Sequence, residues 1–176
     1  MQKSRRSAMF HDALNRVERI WLLALRLSHA WRGRPALAAG TVDRLFAGAA
    51  MGQLGGDFGD LFEALDAAGA RHLYIERHDM PGATGDERDL LEALRHCYTG
   101  NLIAAERSLC GLLPPGDNSE VLDRTRRIAN AARAGQKQAE PIPAPRGSGG
   151  QLALRRKADF QFSVFREGLH AGWVEP

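Results

Sequence analysis

Apolar residues recur at steps of three and four along most of the chain, the period of an α-helix rather than of a strand. The longest run covers residues 8–31. There Phe10, Ala13, Leu14, Val17, Ile20, Trp21, Ala24, Leu25, Ser28 and Trp31 make a wide apolar stripe, with arginines placed on the other side. Gly33 and Pro35 end this helix. A second, weaker helix is expected over residues 41–54, with Thr41 as N-cap and Val42, Leu45, Phe46, Ala49 and Ala50 on one face. Gly55 and Gly56 read as a break, and a third helix runs from Asp57 to Ala68 and stops at Gly69.

Residues 72–76 are ambiguous. Leu73, Tyr74 and Ile75 suit a short strand, but five residues do not separate strand from helix. Pro81, Gly82 and Gly85 mark a loop. Asp86 is then expected to cap a helix to Tyr98, and Gly100 closes it. Asn101 caps the next helix, which reaches Leu113 before Pro114 and Pro115. Asp117 and Glu120 are spaced like a capping box and open a last helix that ends at Gly135.

Beyond Gly135 the helical period vanishes. Residues 136–150, rich in proline and glycine, read as a linker. In residues 151–176 Leu152 and Leu154, then Phe160, Phe162 and Val164, alternate with polar neighbours, a β-like pattern. The expected fold class is mainly α: a compact domain of about five to six helices over residues 1–135, followed by a linker and a short β-like C-terminal appendage.

Residues 87–115 resemble a single tetratricopeptide-type helical hairpin. Leu91, Leu94, Tyr98, the Gly100-Asn101 turn, Ala105, Leu109, Leu113 and Pro114 carry the likeness. Gly100 follows Tyr98 by two residues where that family has four, Pro114 comes about three positions early, and no second copy is present. The resemblance implies protein or peptide binding in a groove.

Composition adds little that would alter the fold class. Apolar residues make up 44% of the 176, enough for a core without metal or disulfide. The 2 cysteines, Cys97 and Cys110, fit no disulfide framework or zinc spacing and read as small buried hydrophobes in a reducing compartment. Arginine outnumbers lysine 21 to 3, and with abundant alanine and glycine this points to a GC-rich bacterial genome. Lys3, Arg5 and Arg6 precede the apolar run Ile20–Leu27, but Asp12, Arg16, Glu18, Arg19 and Arg26 interrupt it and no small-residue cleavage site follows. The segment therefore reads as mature structure, the chain as cytoplasmic, and no stretch as a membrane span.

Charge is polarised along the chain. Residues 1–34 hold eight basic and two acidic side chains, whereas residues 57–92 hold ten acidic and three basic. The two segments either face each other or face partners.

No phosphate-binding glycine loop, nucleophile elbow or cofactor motif is found. His72, Glu76 and His78, with Asp79 close by, would share one face of a strand at spacings too wide to chelate a metal without a turn. Cys97 lacks an opposed base, since His96 is its neighbour on the helix and points elsewhere. Paired carboxylates sit at helix starts, where they complement the helix dipole.

The expected function is accordingly a non-enzymatic protein-interaction module: a regulator, adaptor or assembly chaperone that binds another protein or itself. Arg16, Arg19, Trp21, Tyr98, Asn101, Phe160, Phe162 and Phe165 are its expected contacts. The alternative is a nucleic-acid-associated regulator that uses the basic clusters Arg5, Arg6, Arg155, Arg156 and Lys157.

Overall fold

A computed structural model describes residues 14–49 and 53–139. Within them the chain is mainly helical, with α1 (Arg16–Ala30), α2 (Pro35–Ala47), α3 (Gly55–Ala67), α4 (Gly85–Thr99), α5 (Leu102–Leu109) and α6 (Ser119–Ala139), and no strand among the described residues. The expected appendage and all but the start of the linker lie outside them.

Local capping explains where the helices begin, and it corrects several expected boundaries. α1 starts at Arg16 rather than in the stretch from residue 8. Asn15 is its N-cap: the Asn15 Oδ1 accepts the Glu18 N–H at 3.0 Å, and the Glu18 carboxylate accepts the Asn15 N–H at 2.9 Å. Pro35 does more than end α1, because it occupies the first position of α2, where its missing N–H is not needed. α2 thus begins well before Thr41, which lies mid-helix with its hydroxyl bonded back to the Leu37 carbonyl at 2.9 Å.

Gly55 and Gly56 are not a break but the first turn of α3. A β-carbon on Gly55 would collide with the Ala39 carbonyl, so glycine is what lets α3 start against α2. Asp43 supplies the cap from α2 by accepting the Gly55 N–H at 2.7 Å. Gly69 ends α3 as expected. With φ at +71°, it lets the Ala70 N–H reach the Leu65 carbonyl and its own N–H reach that of Asp66.

α4 is capped by Thr84 and Glu87, not by Asp86. Gly100 (φ +83°) closes it, and the Asn101 side chain accepts the Ala104 N–H to open α5. α5 ends at Leu109, short of Leu113; Gly111 and the approaching proline pair disfavour further helix. Asp117 and Glu120 do not form a capping box. Asp117 accepts the Ser119 N–H at 3.0 Å, while Glu120 pairs with Arg124 at 2.7 Å. α6 passes through Gly135, which is buried, and continues to Ala139.

α1 packs on α2, α3 and α4; α6 packs on α3 and α4; and α5 folds back on α4. Between them Trp21, Leu25, Phe46, Phe58, Phe62, Leu91, Leu94 and Ile128 are essentially fully buried, with the Phe46 and Phe58 rings 5.6 Å apart. Each such side chain contributes roughly 1.5–3 kcal/mol by leaving water. Small residues close the α4–α5–α6 seam, where Cys97, Ala105 and Ala129 cluster. Cys110, in contrast, is exposed, against expectation.

The arginines of α1 are not all on its outer side. Arg26, which interrupts the apolar run Ile20–Leu27, is 3% exposed. Part of the basic N-terminal segment meets the acidic middle segment, with Arg26 on Glu87 at 2.7 Å inside the fold and Arg32 on Asp66 at 3.3 Å at the surface.

Candidate partner-binding loop

The ambiguous stretch belongs to a long connection between α3 and α4. Residues 70–84 hold neither helix nor strand. Irregular loops beyond about 12–15 residues are uncommon in compact domains and usually functional. This one is fastened along its length.

In this segment carboxylates, not a partner strand, take up backbone N–H groups. The Tyr74 N–H donates to Asp86 Oδ2 at 2.7 Å, the Tyr74 carbonyl accepts the Thr84 hydroxyl at 2.6 Å, and the Glu76 N–H donates to Glu87 Oε1 at 3.0 Å. Tyr74 and Glu76, two residues apart, therefore both turn their backbone toward the start of α4. Leu73 points into the core, and Tyr74, one residue on, is 63% exposed.

Glu87 is the anchor. Its side chain is fully buried and accepts four hydrogen bonds: Arg26 Nε at 2.7 Å, Arg26 Nη2 at 3.0 Å, the Glu76 N–H at 3.0 Å and the Thr84 N–H at 2.8 Å. Arg26 spends its remaining reach on the loop, donating to the Met80 carbonyl at 2.7 Å and the Gly82 carbonyl at 2.5 Å. A carboxylate offers about four lone-pair sites, so Glu87 is saturated and has none left for a substrate or a metal. The pair is a clamp on the loop.

A second pair flanks it nearer the surface. Arg71 grips Asp86 through both Nη atoms, at 3.1 and 2.5 Å, and its Nε donates to the Gly111 carbonyl at 3.1 Å. Burial acts to raise the Asp86 pKa, but the hydrogen bonds from Arg71 and from the Tyr74 N–H outweigh it and hold the carboxyl below its ordinary value. At the tip Arg77 and Asp79 pair at 2.7 Å, and the Met80 N–H closes a turn on the Arg77 carbonyl at 3.1 Å. Met80 is left 42% exposed. The Glu76 carboxylate beside Tyr74 holds its hydroxyl above the usual tyrosine range.

The expected contact residues fall in different places. Arg16 and Arg19 are exposed at the start of α1, and Arg19 Nε donates to the Leu14 carbonyl at 2.9 Å. Trp21 is not a surface residue: it is 2% exposed and packs edge-on against Tyr98, with ring centres 5.9 Å apart. Tyr98 is half-buried, with the Arg133 guanidinium 5.4 Å from its ring centre. That guanidinium also donates to the carbonyls of Cys97 and Tyr98. Asn101 is exposed, its side chain committed to capping α5. The fold thus brings Trp21 and Tyr98 together, with Trp21 inside the bundle and Tyr98 at its margin. Phe160, Phe162, Phe165, Arg5, Arg6, Arg155, Arg156 and Lys157 lie outside the described residues.

Among the described residues no three His, Cys, Asp or Glu side chains gather as a metal site, and no helix is long and apolar enough to cross a membrane. Burial pushes the Cys97 thiol up to about 11, which keeps it protonated at neutral pH. No protein-family model, curated protein or solved structure matches this chain.

Reading the sequence alone missed Arg26, Glu87 and the loop they hold. Two signals were available. Thr84-x-x-Glu87 is the capping-box pattern, two residues upstream of the assumed cap. Arg26 is a charge inside the apolar run Ile20–Leu27, and such a residue is buried only with a partner.

Proposed function

We propose that this chain is a cytoplasmic protein-interaction module, an adaptor, regulator or assembly chaperone, that engages its partner through the α3–α4 loop. One observation carries the reading: the buried Arg26–Glu87 pair is hydrogen-bonded to the irregular loop at Glu76, Met80, Gly82 and Thr84, while Tyr74 and Met80 stay exposed at its surface. A loop ordered before binding avoids much of the entropy cost of association. Tyrosine is a favoured hot-spot residue, and methionine adapts to irregular surfaces. The free thiols of Cys97 and Cys110 support a reducing compartment. The α4–α5 hairpin, with its Gly100-Asn101 turn and buried Ala105, supports a second contact surface of the kind the tetratricopeptide resemblance implies.

The test is quantitative capture from native lysate by the wild-type chain and by a Tyr74→Ser/Met80→Ser double variant. Both positions are exposed, so the variant keeps its thermal transition. The partner is expected to be retained about thirtyfold less well, the equivalent of one hot spot. Equal capture by both proteins contradicts the reading.

A further inference from the structure

A separate surface lies at the α5–α6 junction. A cleft of about 180 Å³ is lined by Leu109 and Leu122, with Glu106, Asp117 and Gly116 around it. Leu102 and Ile103, 37% and 67% exposed, sit one helical turn before Glu106 on α5. One turn is about 5.4 Å, so the apolar pair and the cleft form one continuous strip.

We propose that this strip binds an extended peptide segment that places a lysine or arginine side chain in the cleft and an apolar side chain on Leu102 and Ile103. The inference rests on the interaction reading only for its class of ligand, a peptide, and it uses none of the loop residues.

Charge decides the sign of the cleft. It lies beside the N-terminus of α6, whose dipole is worth about half a positive charge. Glu106 and Asp117 bring two full negative charges, so a cation is favoured. Asp117 already satisfies the Ser119 N–H at 3.0 Å, and that bond keeps its carboxyl below the ordinary pKa. Glu106 makes no ion pair among the described residues, so its charge is available. Leucine walls suit the alkyl stem of a basic side chain whose head stays at the polar rim. Extended chain rises about 3.3 Å per residue, so the 5.4 Å turn sets the apolar and basic residues about two positions apart in the peptide.

The probe is the blocked peptide acetyl-Leu-Ala-Lys-Ala-amide, titrated into the ¹⁵N-labelled full chain and followed by amide chemical shifts. Saturable shifts are expected at Ile103, Glu106 and Ser119, with none at Tyr74 or Met80. The same peptide with glutamate for lysine is expected to bind about fivefold more weakly or worse, and Glu106→Gln to weaken the lysine peptide by about fivefold. Glu106 is exposed and caps nothing, so this variant keeps the fold. Equal shifts with both peptides, or no saturable shift at these amides, overturns the proposal. Failure here leaves the loop reading standing, because the loop variant is scored on capture alone. Loss of the loop reading likewise leaves this titration unchanged.

Discussion

Glu87→Ala is expected to destabilise the protein by about 3–5 kcal/mol, seen as a large fall in the urea midpoint. The substitution leaves the Arg26 guanidinium, 3% exposed, without its counter-charge. It also strips the N–H groups of Glu76 and Thr84 of their acceptor. A domain of this size has roughly 5–15 kcal/mol in hand, so the loss is a large share of it. A companion variant separates the two roles. Arg26→Met with Glu87→Leu removes both charges and replaces them with apolar volume, a kind of exchange that is often neutral. That double variant is expected to regain most of the stability, yet its loop loses the clamp on the carbonyls of Met80 and Gly82. Stability recovered without loop order would show that the pair serves the shape of the loop.

Gly55→Ala is expected to cost about 3 kcal/mol, at the upper end for an overpacked site. The added β-carbon meets the backbone carbonyl of Ala39, which has no rotamer to escape into. α2 and α3 must part, and the Asp43 cap on the Gly55 N–H goes with them. Gly59, in the same helix, is the control. A β-carbon there meets nothing within 4 Å, so Gly59→Ala is expected to stabilise by up to about 1 kcal/mol through helix propensity. Denaturant unfolding of the two variants with wild type reads both effects.

These two sites show what was legible in the sequence. Helix existence followed from periodicity, and Gly69, Gly100 and Asn101 were identified correctly because each works through its own backbone or its immediate neighbours. Starts were less legible, since several depend on remote groups. Asp43 caps α3 from another helix, and Gly55 looks like a break until Ala39 is placed against it. Pro35 reads equally as the end of one helix and the start of the next. Residues 72–76 are ambiguous in the sequence because their backbone is bonded to the side chains of Asp86 and Glu87, an arrangement without a period. Arg26 stands in plain view within the apolar run Ile20–Leu27, but its partner is 61 residues away. Trp21 and Tyr98 looked like contact residues because aromatic side chains serve cores and interfaces alike.

Residues 70–84 form an ordered surface pinned from beneath by Arg26, Asp86 and Glu87. Amide hydrogen exchange at single-residue resolution tests this directly. The amides of Tyr74, Glu76 and Thr84, each bonded to a carboxylate of α4, are expected to exchange at least about a hundredfold more slowly than in an unstructured peptide. Glu87→Ala is expected to abolish that protection at Glu76 and Thr84. Exchange of all three amides at unstructured-peptide rates in the wild-type chain would contradict the account.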